Sequence, residues 1–95
     1  MAVNVSCSKL FIGCDGINLE TGITCSNLAE ASLTTAMMKS CAQTVVLADS
    51  SKFGRRGFGK IGNVDDIDII ITDSGIPSTM RKKIEDLGVQ ILIAD

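Results

Sequence analysis

The side chains of this chain that could do chemistry are carboxylates, ammonium groups and guanidinium groups, and they gather at a few places. Asp49-Ser50-Ser51-Lys52-Phe53-Gly54 follows an apolar run, and Lys52, Arg55, Arg56 and Lys60 concentrate positive charge in an otherwise acidic sequence. Such a set suits a small anion such as a phosphate monoester, because both cation types donate charge-assisted hydrogen bonds. A solvated surface loop has the same composition, so spacing alone leaves both readings open. Asp15 and Glu30 are the other candidates. Each has a local alternative: Asp15 as the cap of the following turn, Glu30 as a favourable charge at a helix N-terminus.

Two phosphate-loop patterns overlap in the Gly-rich stretch, and neither has its context. Gly57-Phe58-Gly59-Lys60-Ile61-Gly62 satisfies G-x-G-x-x-G, but Asn63-Val64-Asp65-Asp66 follows where a helix is required. Gly54 through Lys60 fits G-x-x-x-x-G-K, yet Ile61 stands where a nucleotide-bound magnesium needs a hydroxyl. A nucleotide site is therefore not expected. With no His and no Cys-x-x-Cys pair, neither a metal site nor a small disulfide framework is written here. Cys7, Cys14, Cys25 and Cys41 are expected to be reduced, structural thiols.

These groups must be positioned by a scaffold that the apolar pattern outlines. Lys9 to Asp15 reads as a buried strand, and Gly16 to Gly22 as a turn-rich loop. Ser26 is a helix cap for a segment running to about Ala42, with Leu28, Ala31, Thr35, Met38 and Ala42 on one face. Thr44 to Ala48 is a strand stopping at Asp49, and an excursion to Asn63 holds a short strand near Phe58 to Ile61. Ile67 to Thr72 is the clearest strand, stopping at Asp73. Pro77 opens a second helix with Ile76, Met80, Ile84 and Leu87 on one face and Gly88 as its stop, and Val89 to Ile93 is the last strand.

Apolar runs alternating with helices argue an α/β fold: a mostly parallel, Rossmann-like sheet with flanking helices and right-handed crossovers. Three strands end in aspartates, Asp15, Asp49 and Asp73, and open α/β sheets bind ligands beyond the C-terminal ends of their strands.

Ninety-five residues make one domain, with 45% hydrophobic residues but only three Phe. A chain of this size buries roughly 60 to 65% of its unfolded surface, so apolar surface is left over, which points to self-association or to part of a larger domain. The net charge of −2 excludes autonomous nucleic-acid binding, which takes a basic excess. No apolar segment approaches the ~20 residues that span a bilayer, and Met1-Ala2-Val3-Asn4 does not open a signal peptide, so a cytoplasmic protein is expected. Asn4-Val5-Ser6 matches a glycosylation acceptor, a triplet common by chance.

Three segments resemble the C-terminal effector domain of DeoR-type bacterial repressors. They are Phe11-Ile12-Gly13-Cys14-Asp15-Gly16-Ile17 with Glu20-Thr21-Gly22-Ile23-Thr24, then Val46 to Arg55, then Ile70-Ile71-Thr72-Asp73-Ser74-Gly75-Ile76. Their order and spacing agree over nearly the whole chain, with the amino-sugar and hexitol regulators most similar. The resemblance implies a sensor related in fold to ribose-5-phosphate isomerase, of which residues 1–95 are the second half. The winged helix-turn-helix of such repressors and the Gly/Ser/Thr-rich phosphate loop are not found in this chain.

In those isomerases an acidic strand-end segment, a helix Glu and the Lys of an A-D-x-S-K segment line the sugar-phosphate site. Asp15, Glu30 and Lys52 match these positions, and Asn18, Thr24 and Arg55 are secondary candidates. Carboxylates accept sugar hydroxyls and an ammonium supports a phosphate. Ile12 replaces a second isomerase Asp, and Leu19-Glu20-Thr21-Gly22 replaces their Lys-Gly-Gly-Gly loop. The expectation is a non-enzymatic, cofactor-free phosphosugar sensor that forms homo-oligomers, reaches DNA only through a winged helix-turn-helix and touches no membrane. The alternatives are a small sugar-phosphate isomerase or deaminase, and a purely structural oligomerisation module.

Overall fold

Residues 7–95 are described by a computed structural model of the chain; Met1-Ala2-Val3-Asn4 and the Asn4-Val5-Ser6 triplet lie outside them. Strand β1 (Cys7–Gly13) leads into a hairpin of β2 (Gly16–Asn18) and β3 (Gly22–Cys25). Helix α1 (Leu28–Ser40), β4 (Cys41–Leu47), β5 (Gly59–Gly62), β6 (Ile69–Thr72), α2 (Ser78–Asp86) and β7 (Gln90–Ile93) follow. The expected α/β class holds: β1-β4-β6-β7 form a four-stranded sheet, all parallel, with helices on its flank. A second, three-stranded antiparallel sheet, β2-β3-β5, packs beside it.

The strands of the parallel sheet follow chain order, so both helical crossovers advance in one direction. Right-handed connections then place α1 and α2 on the same face. The core agrees: Ala31 of α1 and Ile84 of α2 share one buried cluster with Val46, Ile70 and Ile91 of the sheet and with Ile17, Ile23 and Ile61 of the smaller sheet. On the opposite face lie the rows Phe11-Val45-Ile69-Gln90 and Gly13-Leu47-Ile71-Leu92, with Val45 buried at the centre. Phe11 is 58% exposed, Leu47 47% and Leu92 41%. No helix among the described residues covers that face.

Local chemistry moved several expected boundaries. Asn27, not Ser26, caps α1: its side-chain oxygen accepts the amides of Ala29 (2.8 Å) and Glu30 (3.2 Å), while the Ser26 amide is held by Asp15. Leu28, expected in the core, is 56% exposed, and small Ala31 is the residue that α1 buries. The helix ends at Ser40 and β4 begins without a loop. Gly16 to Gly22, expected as loop, contributes β2 and the start of β3, because Ile17 and Ile23 are fully buried and β3 finds its second partner in β5. In α2 the expected face holds for Ile76, Met80 and Ile84, whereas Leu87 is half exposed; Gly88, with φ at +91°, supplies the left-handed stop. The four cysteines are not all reduced thiols: Cys14 and Cys25 are free, but Cys41, which stands opposite Cys7 in the sheet register, is disulfide-bonded.

Candidate functional site

Three strands of the parallel sheet deliver acidic residues to one rim. β1 ends just before Cys14-Asp15, β4 before Ala48-Asp49 and β6 before Asp73. Because α1 crosses back from this rim, its first turn brings Glu30 to the same end. Asp15 is fixed from both sides: its amide donates to the Thr24 carbonyl (2.9 Å) and its carboxylate accepts the Ser26 amide (2.8 Å).

Lys52 closes the 3-10 turn Ser50–Lys52, and that turn is pinned by two aspartates. Asp49 accepts the amide of Ser51 at 2.9 Å and also the Ser51 hydroxyl. Asp73, from the neighbouring strand end, accepts the amides of Ser50 (2.6 Å) and Gly75 (2.9 Å). These bonds favour the ionised form: the Ser51 hydroxyl and then its amide hold Asp49 below the usual carboxylate range, and the Ser50 amide leads in doing the same for Asp73. The Lys52 charge is close enough to bear on both Asp49 and Cys14. Cys14 itself is pushed up to about 11, first by desolvation and next by the Asp15 charge, so its thiol is protonated and unreactive at neutral pH.

A group depressed in the folded state stabilises that state above its unfolded pKa and loses the contribution as pH falls through its folded pKa. Asp49 and Asp73 should therefore keep the Lys52 turn ordered until the pH drops below the ordinary aspartate range. An NMR pH titration checks this through the Ser50 and Ser51 amides: their shifts should move together at a midpoint below the ordinary aspartate range. Midpoints within or above that range would contradict the pinning.

The turn continues into a loop that lies on the hairpin. Gly54, with φ at +87°, donates to the Ile17 carbonyl at 2.7 Å, and a Cβ at Gly16 would come within 2.4 Å of the Arg55 carbonyl oxygen. Only glycine permits that approach. Thr24 is 3% exposed; its hydroxyl lies 3.4 Å from the Gly16 carbonyl and accepts the Gly57 amide at 2.6 Å. Asn18 spends its side-chain oxygen on the amides of Glu20 (2.8 Å) and Thr21 (3.3 Å). Asp15, Glu30 and Lys52 thus share one rim, Arg55 stands exposed beside it, and Thr24 and Asn18 serve the hairpin that supports it.

Sequence reasoning gave no role to Thr72 or to the Ser50 amide. A shallow cleft of about 290 Å³ at this rim is lined by Ala48, Asp49, Ile71, Thr72, Asp73 and Ala94, and the Thr72 hydroxyl is buried there without a partner. The available signal was a Thr closing an apolar strand just before its terminal Asp. A second cleft of similar volume opens at the other end of the sheet, where Asp66 and Asp68 are occupied by the amides of Asn63 and Thr44. Residues of the G-x-G-x-x-G pattern form β5 rather than a turn before a helix, consistent with its rejection as a dinucleotide loop. Among the described residues no group of three or more His, Cys, Asp or Glu could hold a metal ion, and no helix is long and apolar enough to cross a membrane.

Comparison with known proteins places this geometry. The chain is 36% identical over 83 residues to the HTH-type transcriptional regulator GlpR of Haloferax volcanii, covering 87% of this chain and 32% of that protein. It is 37% identical over 84 residues to the uncharacterized HTH-type transcriptional regulator YulB of Bacillus subtilis, covering 88% and 33%. It is 37% identical over 90 residues to the putative aga operon transcriptional repressor of Escherichia coli O157:H7, covering 95% and 34%. The chain therefore spans about a third of the length of the curated relatives it matches. The sequence profile of the DeoR C-terminal sensor domain matches residues 1–74, most of the chain, and with these relatives it shows that the protein belongs to the DeoR C-terminal sensor domain family.

Proposed function

We propose that residues 1–95 are a single, partial effector-binding domain that senses a phosphorylated sugar for a cytoplasmic regulator of carbohydrate catabolism. The observation that supports this reading is the backbone turn carrying Lys52, pinned beyond the end of β4 by Asp49 and Asp73, with the Lys52 charge near enough to bear on Cys14. An ammonium positioned in this way supports a phosphate or an acidic hydroxyl, while Asp15 and Glu30 accept sugar hydroxyls. Arg55 adds a second cation, and Asn18 and Thr24 hold the hairpin beneath. Catalysis is not part of the reading: proton shuttling needs a base and an electrophile placed together, and the thiol nearest the site is protonated. No cofactor is needed. DNA is contacted through a winged helix-turn-helix outside residues 1–95, and the regulator works as a homo-oligomer whose packing the effector biases.

Calorimetric titration with hexose and amino-sugar phosphates tests this, on the chain itself and on a regulator carrying the whole sensor. The chain alone should bind weakly, since part of the phosphate-holding surface lies outside it. Lys52→Ala should weaken binding at least about tenfold, a loss of about 1.4 kcal/mol, while Lys82→Ala, on the far surface of α2, leaves it unchanged. If no phosphosugar binds the whole sensor, or if Lys52→Ala binds as well as the parent, the assignment fails.

A further inference from the structure

Thr72 carries a buried hydroxyl that the fold does not use. The residue is 4% exposed and its Oγ1 has no hydrogen-bond partner, although a buried hydroxyl left unpaired is costly. Valine would fill nearly the same space and suits a strand as well. The strand itself is satisfied without the hydroxyl: the Thr72 carbonyl accepts the Ala94 amide at 2.8 Å, as the Ile71 carbonyl accepts the Ala48 amide at 3.1 Å. An unsatisfied buried group calls for a role, and positions that break a local rule are where function is expected.

Thr72 lines the cleft of about 290 Å³ at the strand-end rim, and the other polar side chains lining it are Asp49 and Asp73. Both carboxylates are held below their usual range by the bonds that pin the Lys52 turn, so both are ionised at neutral pH. Asp49 meets the Ser51 amide and hydroxyl through Oδ1 alone, which leaves Oδ2 open among the described residues. No basic side chain lines the cleft. Its charge therefore repels an anion and favours a cation carrying N–H donors, which ionised carboxylates bind through charge-assisted hydrogen bonds. The neighbouring cation is Lys52, whose charge bears on Asp49 from the same turn. A negative cleft thus adjoins a positive side chain.

We propose that this cleft holds the ammonium group of a phosphorylated sugar that bears a free amine, with the Thr72 hydroxyl and Asp49 Oδ2 accepting its N–H bonds and its phosphate turned toward Lys52. The inference rests on the phosphosugar reading and narrows it to one class of ligand. Thr72 then sets specificity: a site built to pair a donor rejects the analogue that lacks it, because its own polar groups are left unpaired.

Calorimetry on the regulator carrying the whole sensor compares glucosamine 6-phosphate with glucose 6-phosphate, at a slightly acidic pH where the amine is charged and both aspartates are ionised. The amine should bind at least about tenfold more tightly. Thr72→Val should remove most of that advantage and leave glucose 6-phosphate unaffected, whereas Thr72→Ser, which keeps the hydroxyl, should retain it. Without ligand, Thr72→Val should hold or raise the urea midpoint of the chain, since it removes an unpaired buried hydroxyl. Equal or weaker binding of the amine, or an amine preference untouched by Thr72→Val, overturns the proposal. A lower midpoint in ligand-free Thr72→Val also overturns it, by showing that the hydroxyl serves the fold. If neither sugar phosphate binds the whole sensor, the phosphosugar reading itself fails and the cleft assignment falls with it.

Discussion

Replacing Ile70 with alanine should cost about 3 kcal/mol of folding stability, whereas the same change at its neighbour Ile71 should cost about 1 kcal/mol or less. The two residues are adjacent on β6, so propensity and backbone are matched. They differ in what they touch. Ile70 is fully buried in the shared core, between its register partners Val46 and Ile91 and beneath both helices. Ile71 looks toward the opposite face, between Leu47 and Leu92, both partly exposed. Truncating Ile70 removes about three carbons from the apolar interior and leaves a cavity that the sheet and helices cannot collapse to fill. Domains of this size sit near the low end of a 5 to 15 kcal/mol stability range, so such a loss would leave a measurable unfolded fraction in buffer. Urea denaturation at low protein concentration checks both variants. Equal losses at the two positions would mean that the second face is covered, contrary to the described fold.

Thr24→Val should cost about 2 kcal/mol and loosen the Arg55 to Gly57 loop, although valine nearly matches threonine in shape. The Thr24 hydroxyl serves the Gly57 amide at 2.6 Å and faces the Gly16 carbonyl. A methyl in its place strands these groups in a buried setting, and a stranded buried donor or acceptor costs about 1 to 3 kcal/mol. Hydrogen exchange at the Gly57 amide should rise sharply, together with the fall in urea midpoint. Thr24→Ser, which keeps the hydroxyl, should restore slow exchange. If Thr24 is instead a direct ligand contact with no supporting role, Thr24→Val would leave exchange and midpoint unchanged and reduce only effector affinity.

The hairpin held by Thr24 is also where sequence reading fell furthest from the fold. Gly16-Ile17-Asn18 and Gly22-Ile23-Thr24-Cys25 are short, carry glycines and flank a polar turn, so local propensity assigns them to loop. They become strands because β5, more than thirty residues later in the chain, completes their ladder and because Ile17 and Ile23 fill the core. Neither cause is local. The Ser26 cap failed for a related reason: Ser26 and Asn27 are both good caps, and the choice fell to Asn27 once Asp15, eleven residues upstream, engaged the Ser26 amide.

What the sequence determined by itself was the parallel sheet, the order of its strands and helices, and the strand ends at Asp15, Asp49 and Asp73. Long apolar runs, a Pro at a helix start and a Gly at its end carry that information within a few neighbouring residues. The tertiary structure alone decided that Asp49 and Asp73 are spent on pinning the Lys52 turn, that Thr24 and Asn18 brace the hairpin, and that Phe11, Leu47 and Leu92 stand partly exposed on one sheet face. Each of these depends on which backbone amide or side chain a group meets across the fold. Contacts between residues distant in sequence leave no periodic trace in it, so hydrogen-bond assignment and coverage of a face appear only once the chain has closed on itself.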